Sequence, residues 1–99
     1  MNYVEEIRCM LSEEIKVSNS LLNLYSLLVL TKGKNVTLED VHDAWSLDKN
    51  RTFPDHKSII PFKELSYDVQ QKDLYYMNAI KKVARKISKE WLYEINRFI

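Results

Sequence analysis

Tyr76, Ile80, Val83, Ile87, Trp91 and Ile95 follow one another at intervals of 4, 3, 4, 4 and 4 residues. That is the period of one face of an α-helix, and it runs almost to the end of the chain. A stripe this long needs other helices to cover it, and the preceding sequence offers them. Val4, Ile7, Met10 or Leu11, and Ile15 repeat at threes and fours with Glu5, Glu6, Arg8, Glu13 and Glu14 between them. They predict an amphipathic helix over about residues 2 to 16. Val17-Ser18-Asn19-Ser20 breaks the pattern, with Asn19 or Ser20 expected to cap the next helix. Leu21, Leu22, Leu24, Tyr25, Leu27, Leu28 and Leu30 are apolar on nearly every face, so this second helix is expected at the centre, covered on several sides.

Gly33, the only glycine, follows Thr31 and Lys32, where a left-handed residue ends a helix. Thr37-Leu38-Glu39-Asp40 then opens a third helix with an N-cap and first-turn carboxylates. That helix carries Val41, Ala44, Trp45 and Leu47, with Leu38, Val41 and Trp45 on its inner face. Ser66 is expected to cap a short helix ending near Gln71 or Lys72, and Asp73 to cap the long last one. The fold class is therefore all-α: a small bundle of four to five helices with a long proline-containing loop and a long C-terminal helix.

Ninety-nine residues, 45% of them hydrophobic, suit one domain with a modest core. Its stability is expected to rest on large side chains such as Trp45, Trp91 and the leucines between 21 and 30. Beyond Ile87 the stripe outruns so small a domain, so Trp91, Leu92, Ile95 and Phe98 call for the first helix or another subunit to cover them. Cys9 is the only cysteine and has no metal-ligand neighbour at the usual spacings, which favours a reducing, cytoplasmic setting. Met1-Asn2-Tyr3-Val4-Glu5-Glu6 has acids where an export signal has bases, and the run from Leu21 to Leu30 is too short to cross a membrane. Charge is uneven: residues 1–50 hold 5 basic and 8 acidic groups, residues 51–99 hold 10 and 6. Opposed halves of −3 and +4 could let two copies pair head to tail or attract an anion, but such an imbalance is more often only a solvated surface.

The candidate functional stretch is Asn50 to Phe62. Pro54 and Pro61 fix their own φ angles and push Phe53 and Ile60 toward extended backbone, so no helix runs through it. A connector this long is a place to look for function. His56, beside Asp55 in this aromatic loop, is the better histidine candidate, either for a ligand or as a tie to the backbone. His42, between Asp40 and Asp43, reads as an ordinary helix-edge histidine; no second histidine shares its face, and no metal site is expected. Tyr75 and Tyr76 point apart, one to the core and one to solvent or the loop. With Trp45, Phe53, Phe62 and Tyr67 they could frame a pocket for a flat ring, or simply pack. Lys81, Lys82, Arg85, Lys86 and Lys89 form a basic face, read as solvated surface rather than a nucleic-acid interface, since the chain is near neutral overall. No nucleophile motif or glycine-rich phosphate cradle is present, so the chain is not expected to be an enzyme, and no catalytic residue, metal or cofactor is assigned.

Val41-His42-Asp43-Ala44-Trp45-Ser46, then Asp55 to Ser66, then Lys72-Asp73-Leu74-Tyr75 and Ala79-Ile80 resemble the ryanodine-receptor repeat domain, as in its small bacterial and phage members. The likeness covers about residues 38 to 87, making 1–37 an N-terminal helical extension and 88–99 a helical tail. It departs from the repeat in having Pro54 before Asp55-His56, a short loop from Trp45 to His56, and a single copy. The resemblance implies a non-catalytic module that senses or sequesters a nucleotide-derived signal, an adenine-containing nucleotide in antiphage defence. Trp45, Phe62 and Tyr75 would then wall the base, and Arg51, His56 and Lys57 would meet its polar or phosphate groups. A homo-oligomer is expected, with no membrane partner. The alternative function is a helical protein interaction or self-association module without a small ligand.

Overall fold

Among the described residues five α-helices follow in the order expected: α1 (Tyr3–Glu14), α2 (Asn19–Thr31), α3 (Leu38–Thr52), α4 (Tyr67–Gln71) and α5 (Leu74–Arg97). Short 3₁₀ turns at Gly33–Asn35 and Phe62–Glu64 precede α3 and α4. The structure, a computed structural model, describes the backbone of residues 2–97 and the side-chain surroundings of residues 2–87. The expected apolar tail of Trp91, Leu92, Ile95 and Phe98, with Lys89 of the basic face, lies outside the described side chains. No helix among the described residues is long and apolar enough to cross a membrane.

Local chemistry sets the boundaries. Asn2 caps α1 by accepting the Glu5 N–H at 2.9 Å. Ser18, rather than Asn19 or Ser20, caps α2, accepting from Leu21 at 3.3 Å, so the helix begins two residues before its leucine run. Gly33 takes φ +55°, the left-handed conformation that glycine adopts without steric cost, and turns the chain out of α2. Thr37 and Asp40 close a reciprocal capping box: the Asp40 N–H donates to Thr37 Oγ1 at 3.1 Å and the Thr37 N–H to Asp40 Oδ2 at 2.9 Å. α3 runs on to Thr52 and stops only at Phe53, the residue before Pro54, because proline disfavours helical backbone in its predecessor. The connector is therefore shorter than the 50–62 stretch expected. It spans Phe53 to Pro61 before a 3₁₀ turn takes Phe62.

α2 is the hub, packing on α1, α3 and α5. One core joins Ile7 and Leu11 of α1, Ile15 just after it, Leu22, Tyr25 and Val29 of α2, Val36 before α3, Val41 of α3, and Ile80, Val83 and Ile87 of α5. Each such side chain contributes roughly 1.5–3 kcal/mol when taken from water. The α5 stripe is thus buried as its spacing predicts. Two expectations shift: α2 keeps an uncovered edge at Leu27 and Leu30, and Trp45 is only partly buried, packing against the core rather than forming it. Leu47, on the opposite side of α3, is exposed.

Candidate functional site

The face of α3 that carries His42 and Trp45 looks across a hollow toward the start of α5. Spacing explains this: Val41 and Trp45, four apart, point inward on one row, while His42 and Ser46 occupy the adjoining row. The proline loop folds over that second row. His56 begins two successive tight turns, its N–H donating to Phe53 O and its carbonyl accepting from Ile59, both at 3.1 Å. The Ser58 N–H donates to His56 Nδ1 at 3.0 Å. With Nδ1 used as an acceptor, the neutral ring carries its proton on Nε2.

Rings run continuously along this wall. Phe53 meets His56 edge-on at 5.7 Å, His56 meets Trp45 edge-on at 5.1 Å, and Trp45 stacks on His42 at 5.8 Å with 22° between planes. Phe62 closes the row against His42 at 6.1 Å. His42 holds the loop down: Nε2 lies 2.8 Å from the Ile60 carbonyl, and since a carbonyl only accepts, Nε2 carries the donated proton. Gln70 adds two tethers, donating to Phe62 O at 3.0 Å and Leu65 O at 3.2 Å.

Between wall, loop and α5 lies a half-enclosed cavity of about 530 Å³. Leu21, Tyr25, Trp45, Val69 and Tyr76 supply its apolar and aromatic lining, and His42, His56, Lys57, Ser58, Lys72 and Asp73 its polar groups. Burial raises the Asp73 carboxyl above the ordinary carboxylate range, and the nearby His42 only partly offsets this. Burial also drives the Tyr25 phenol far upward, reinforced by the charge of Asp73, so its hydroxyl stays protonated. His42 Nδ1 and Asp73 Oδ2 stand 4.0 Å apart, close enough to pair but too far for a hydrogen bond.

Three of the six expected ligand residues, Trp45, His56 and Lys57, line this cavity. The other three sit elsewhere. Arg51 donates to Ser20 Oγ at 2.9 Å and Asp48 Oδ1 at 3.3 Å, tying α3 to α2 because the helix runs three residues further than the loop reading allowed. Phe62 packs behind His42, and Tyr75 faces outward with its hydroxyl donating to Glu14 O at 2.8 Å. Tyr76 takes the inward position of that pair, its ring 5.5 Å from Tyr25. Sequence reasoning passed over His42, which is 3% exposed, along with Tyr25, Lys72 and Asp73. The 42–45–46 spacing beside a proline loop was the available signal for His42. Tyr25 and Asp73 gave none, because their meeting depends on how α2 and α5 cross.

No group of three or more potential metal ligands occurs among the described residues. On the opposite side, a second and more open hollow of about 590 Å³ is lined by Ile7, Val29, Leu30, Lys32, Arg85 and Ile87. Within the basic face, Lys82 pairs with Glu14 at 2.8 Å, a surface contact between α5 and α1.

The family model described as a domain of unknown function, DUF7701, matches residues 2–85, and the chain belongs to that family. No curated protein and no solved structure matches. This corrects the ryanodine-receptor resemblance, since the match begins in α1 and nothing points to that repeat. The residues that suggested it have ordinary local duties: Ser66 caps α4, Pro61 precedes the 3₁₀ turn, and His42 and Trp45 lie three apart on one helix.

Proposed function

We propose that this DUF7701 protein is a non-catalytic binding module for a small, ring-bearing acidic molecule, held in the cavity between α3, the proline loop and the start of α5. The observation that carries this reading is the convergence of Trp45, His56 and Lys57 with His42, Tyr76 and Lys72 on one hollow of about 530 Å³. That volume falls in the range of small-molecule sites, and the lining sets five apolar or aromatic residues beside six polar ones. The faces of Trp45 and Tyr76 suit a flat ring, while Lys57, Lys72 and the Nε2–H of His56 suit an acidic group. Adenine nucleotides entered only through the ryanodine-receptor resemblance and lose that support with it. Mononucleotides remain one subset of the ring-plus-acid class.

Ser46, His42 and Asp73 have the outline of a nucleophile triad, with Ser46 Oγ 3.3 Å from His42 Nε2. The arrangement argues against one. Nε2 already carries a proton, held by Ile60 O at 2.8 Å, so it cannot take the serine's. A cytoplasmic setting, reasoned from the lone Cys9, belongs to the same proposal.

Titrating the ¹⁵N-labelled chain with a panel of aryl carboxylates and mononucleotides tests the reading. Shifts concentrated at the Trp45 indole, His56 and Lys57 are expected. Uniform or absent shifts at millimolar concentration would sink it. Self-association is the second reading, resting on exposed Leu27 and Leu30 beside the hollow of α1, α2 and α5. A sedimentation coefficient that rises with concentration would favour it.

A further inference from the structure

We infer that the inner end of the cavity, formed by Tyr25, His42 and Asp73, is a subsite for a hydrogen-bond-donating group on the ligand's ring. The ligand class is then a ring bearing an amino or amidine group at one end and an acidic group at the other. This inference rests on the binding reading above and adds the ligand's polarity to it.

Tyr25 is 1% exposed and lines the cavity, yet its hydroxyl has no hydrogen-bond partner among the described residues. That oxygen opens onto the cavity rather than being sealed in protein, so it is available to a group placed there. The Asp73 carboxylate likewise accepts no hydrogen bond from the described residues: its side chain is 13% exposed, and His42 Nδ1 stands 4.0 Å from Oδ2. His42 cannot turn to close that gap, because Nε2 is committed to Ile60 O and the ring is stacked on Trp45. In the tautomer that donates from Nε2 to Ile60 O, Nδ1 presents a lone pair toward Asp73, so the inner end offers a carboxylate, a ring nitrogen and a phenol oxygen, all able to accept. A single –NH₂ or –NH₃⁺ nitrogen about 2.9 Å from both Nδ1 and Oδ2 fits between atoms 4.0 Å apart.

The outer end has the opposite character. Lys57 and Lys72 are exposed and have no salt-bridge partner among the described residues. Trp45 and Tyr76 add rings to the lining. Acceptors on buried or largely covered side chains and cations on exposed ones favour a ligand of one orientation.

The test uses two probes of one shape on the full chain at neutral pH. 4-Amidinobenzoate carries two-donor nitrogens opposite its carboxylate, and terephthalate carries a second carboxylate there. By NMR titration, 4-amidinobenzoate is expected to bind at least about tenfold more tightly, with shifts at Tyr25, His42 and Asp73. Asp73→Asn should abolish most of that preference without weakening terephthalate. Tyr25→Phe, which removes one oxygen and no protein hydrogen bond, should weaken the amidine several-fold without lowering the melting temperature, and it carries the test if Asp73→Asn does not fold. Equal affinity of the two probes at the cavity would overturn the donor subsite and leave the binding reading standing. Failure of both to shift any cavity resonance would overturn the two together.

Discussion

The two sides of α2 are held by different forces. Toward α1 and the middle of α5, Ile7, Leu11, Ile80 and Val83 are all within 3% of complete burial, and that half is closed by apolar packing, with polar contacts from Lys82 and Tyr75 to Glu14 only at its surface. Toward the proline loop, the wall of Trp45, His56 and Phe53 is only partly covered, and the loop is kept in place by one hydrogen bond from His42 and by two from Gln70 just past its end. Close packing has one solution and resists change, whereas polar tethers can be broken singly. The contrast teaches that the first half specifies the fold, and that the second leaves polar groups free to meet something other than protein.

Cutting into the packed half should have the largest effect. Ile80 is fully buried at the crossing of α5 with the core, and Ile80→Ala should cost about 3–4 kcal/mol in urea unfolding, with the transition remaining single. A loss below about 1 kcal/mol would show that the core is looser than its burial implies. His42→Ala attacks the other half. It deletes the donor to Ile60 O and the ring between Trp45 and Phe62, for about 2 kcal/mol, and should speed amide exchange in residues 53–61 more than in α1 or α2. Exchange that accelerates evenly across the chain would break the two-part description.

Gly33→Ala probes the packed half through its backbone. An added Cβ would come no closer than 3.9 Å to Ala84 Cβ, ordinary contact, so the cost is that of φ +55° alone, about 1 kcal/mol. Loop exchange should not respond to it. A loss well above about 2 kcal/mol would mean that the α2–α3 turn carries more than its φ angle.

The same division explains what could be read beforehand. The helices, the Thr37 cap, Gly33 and the buried stripe through Ile80, Val83 and Ile87 depend on neighbours in sequence and on periodicity, both visible in the residues. At the site, Trp45, His56 and Lys57 were found because they flank or occupy a loop broken by prolines. Arg51 was misplaced by the three extra residues of α3, which bring its guanidinium to Ser20 and Asp48. His42 looked like an edge residue because a helix-only view has no loop above it, and the Ile60 carbonyl that buries it is eighteen residues away. Tyr25 read as one more apolar residue in a leucine-rich helix. Its hydroxyl becomes informative only once α5 brings Asp73 alongside.

The smallest expected effect has the opposite sign from the others. Burial raises the Asp73 carboxyl above its usual 3.8, and His42 offsets this only in part. A carboxyl whose folded value is raised favours folding fully below about pH 3.8, and that contribution is lost as pH climbs through the folded value. At neutral pH the charged Asp73 therefore works against the fold. Asp73→Asn removes the charge, and its amide can donate toward His42 Nδ1. We expect a gain on the order of 0.5 kcal/mol at neutral pH, since solvent at the cavity mouth screens the effect, and no gain near pH 3.5. Paired urea melts at the two pH values measure it. A neutral-pH loss would mean that the His42–Asp73 pair is a structural tether like that of His42 to Ile60, and the polar half would then have no residue whose charge is kept at the expense of stability.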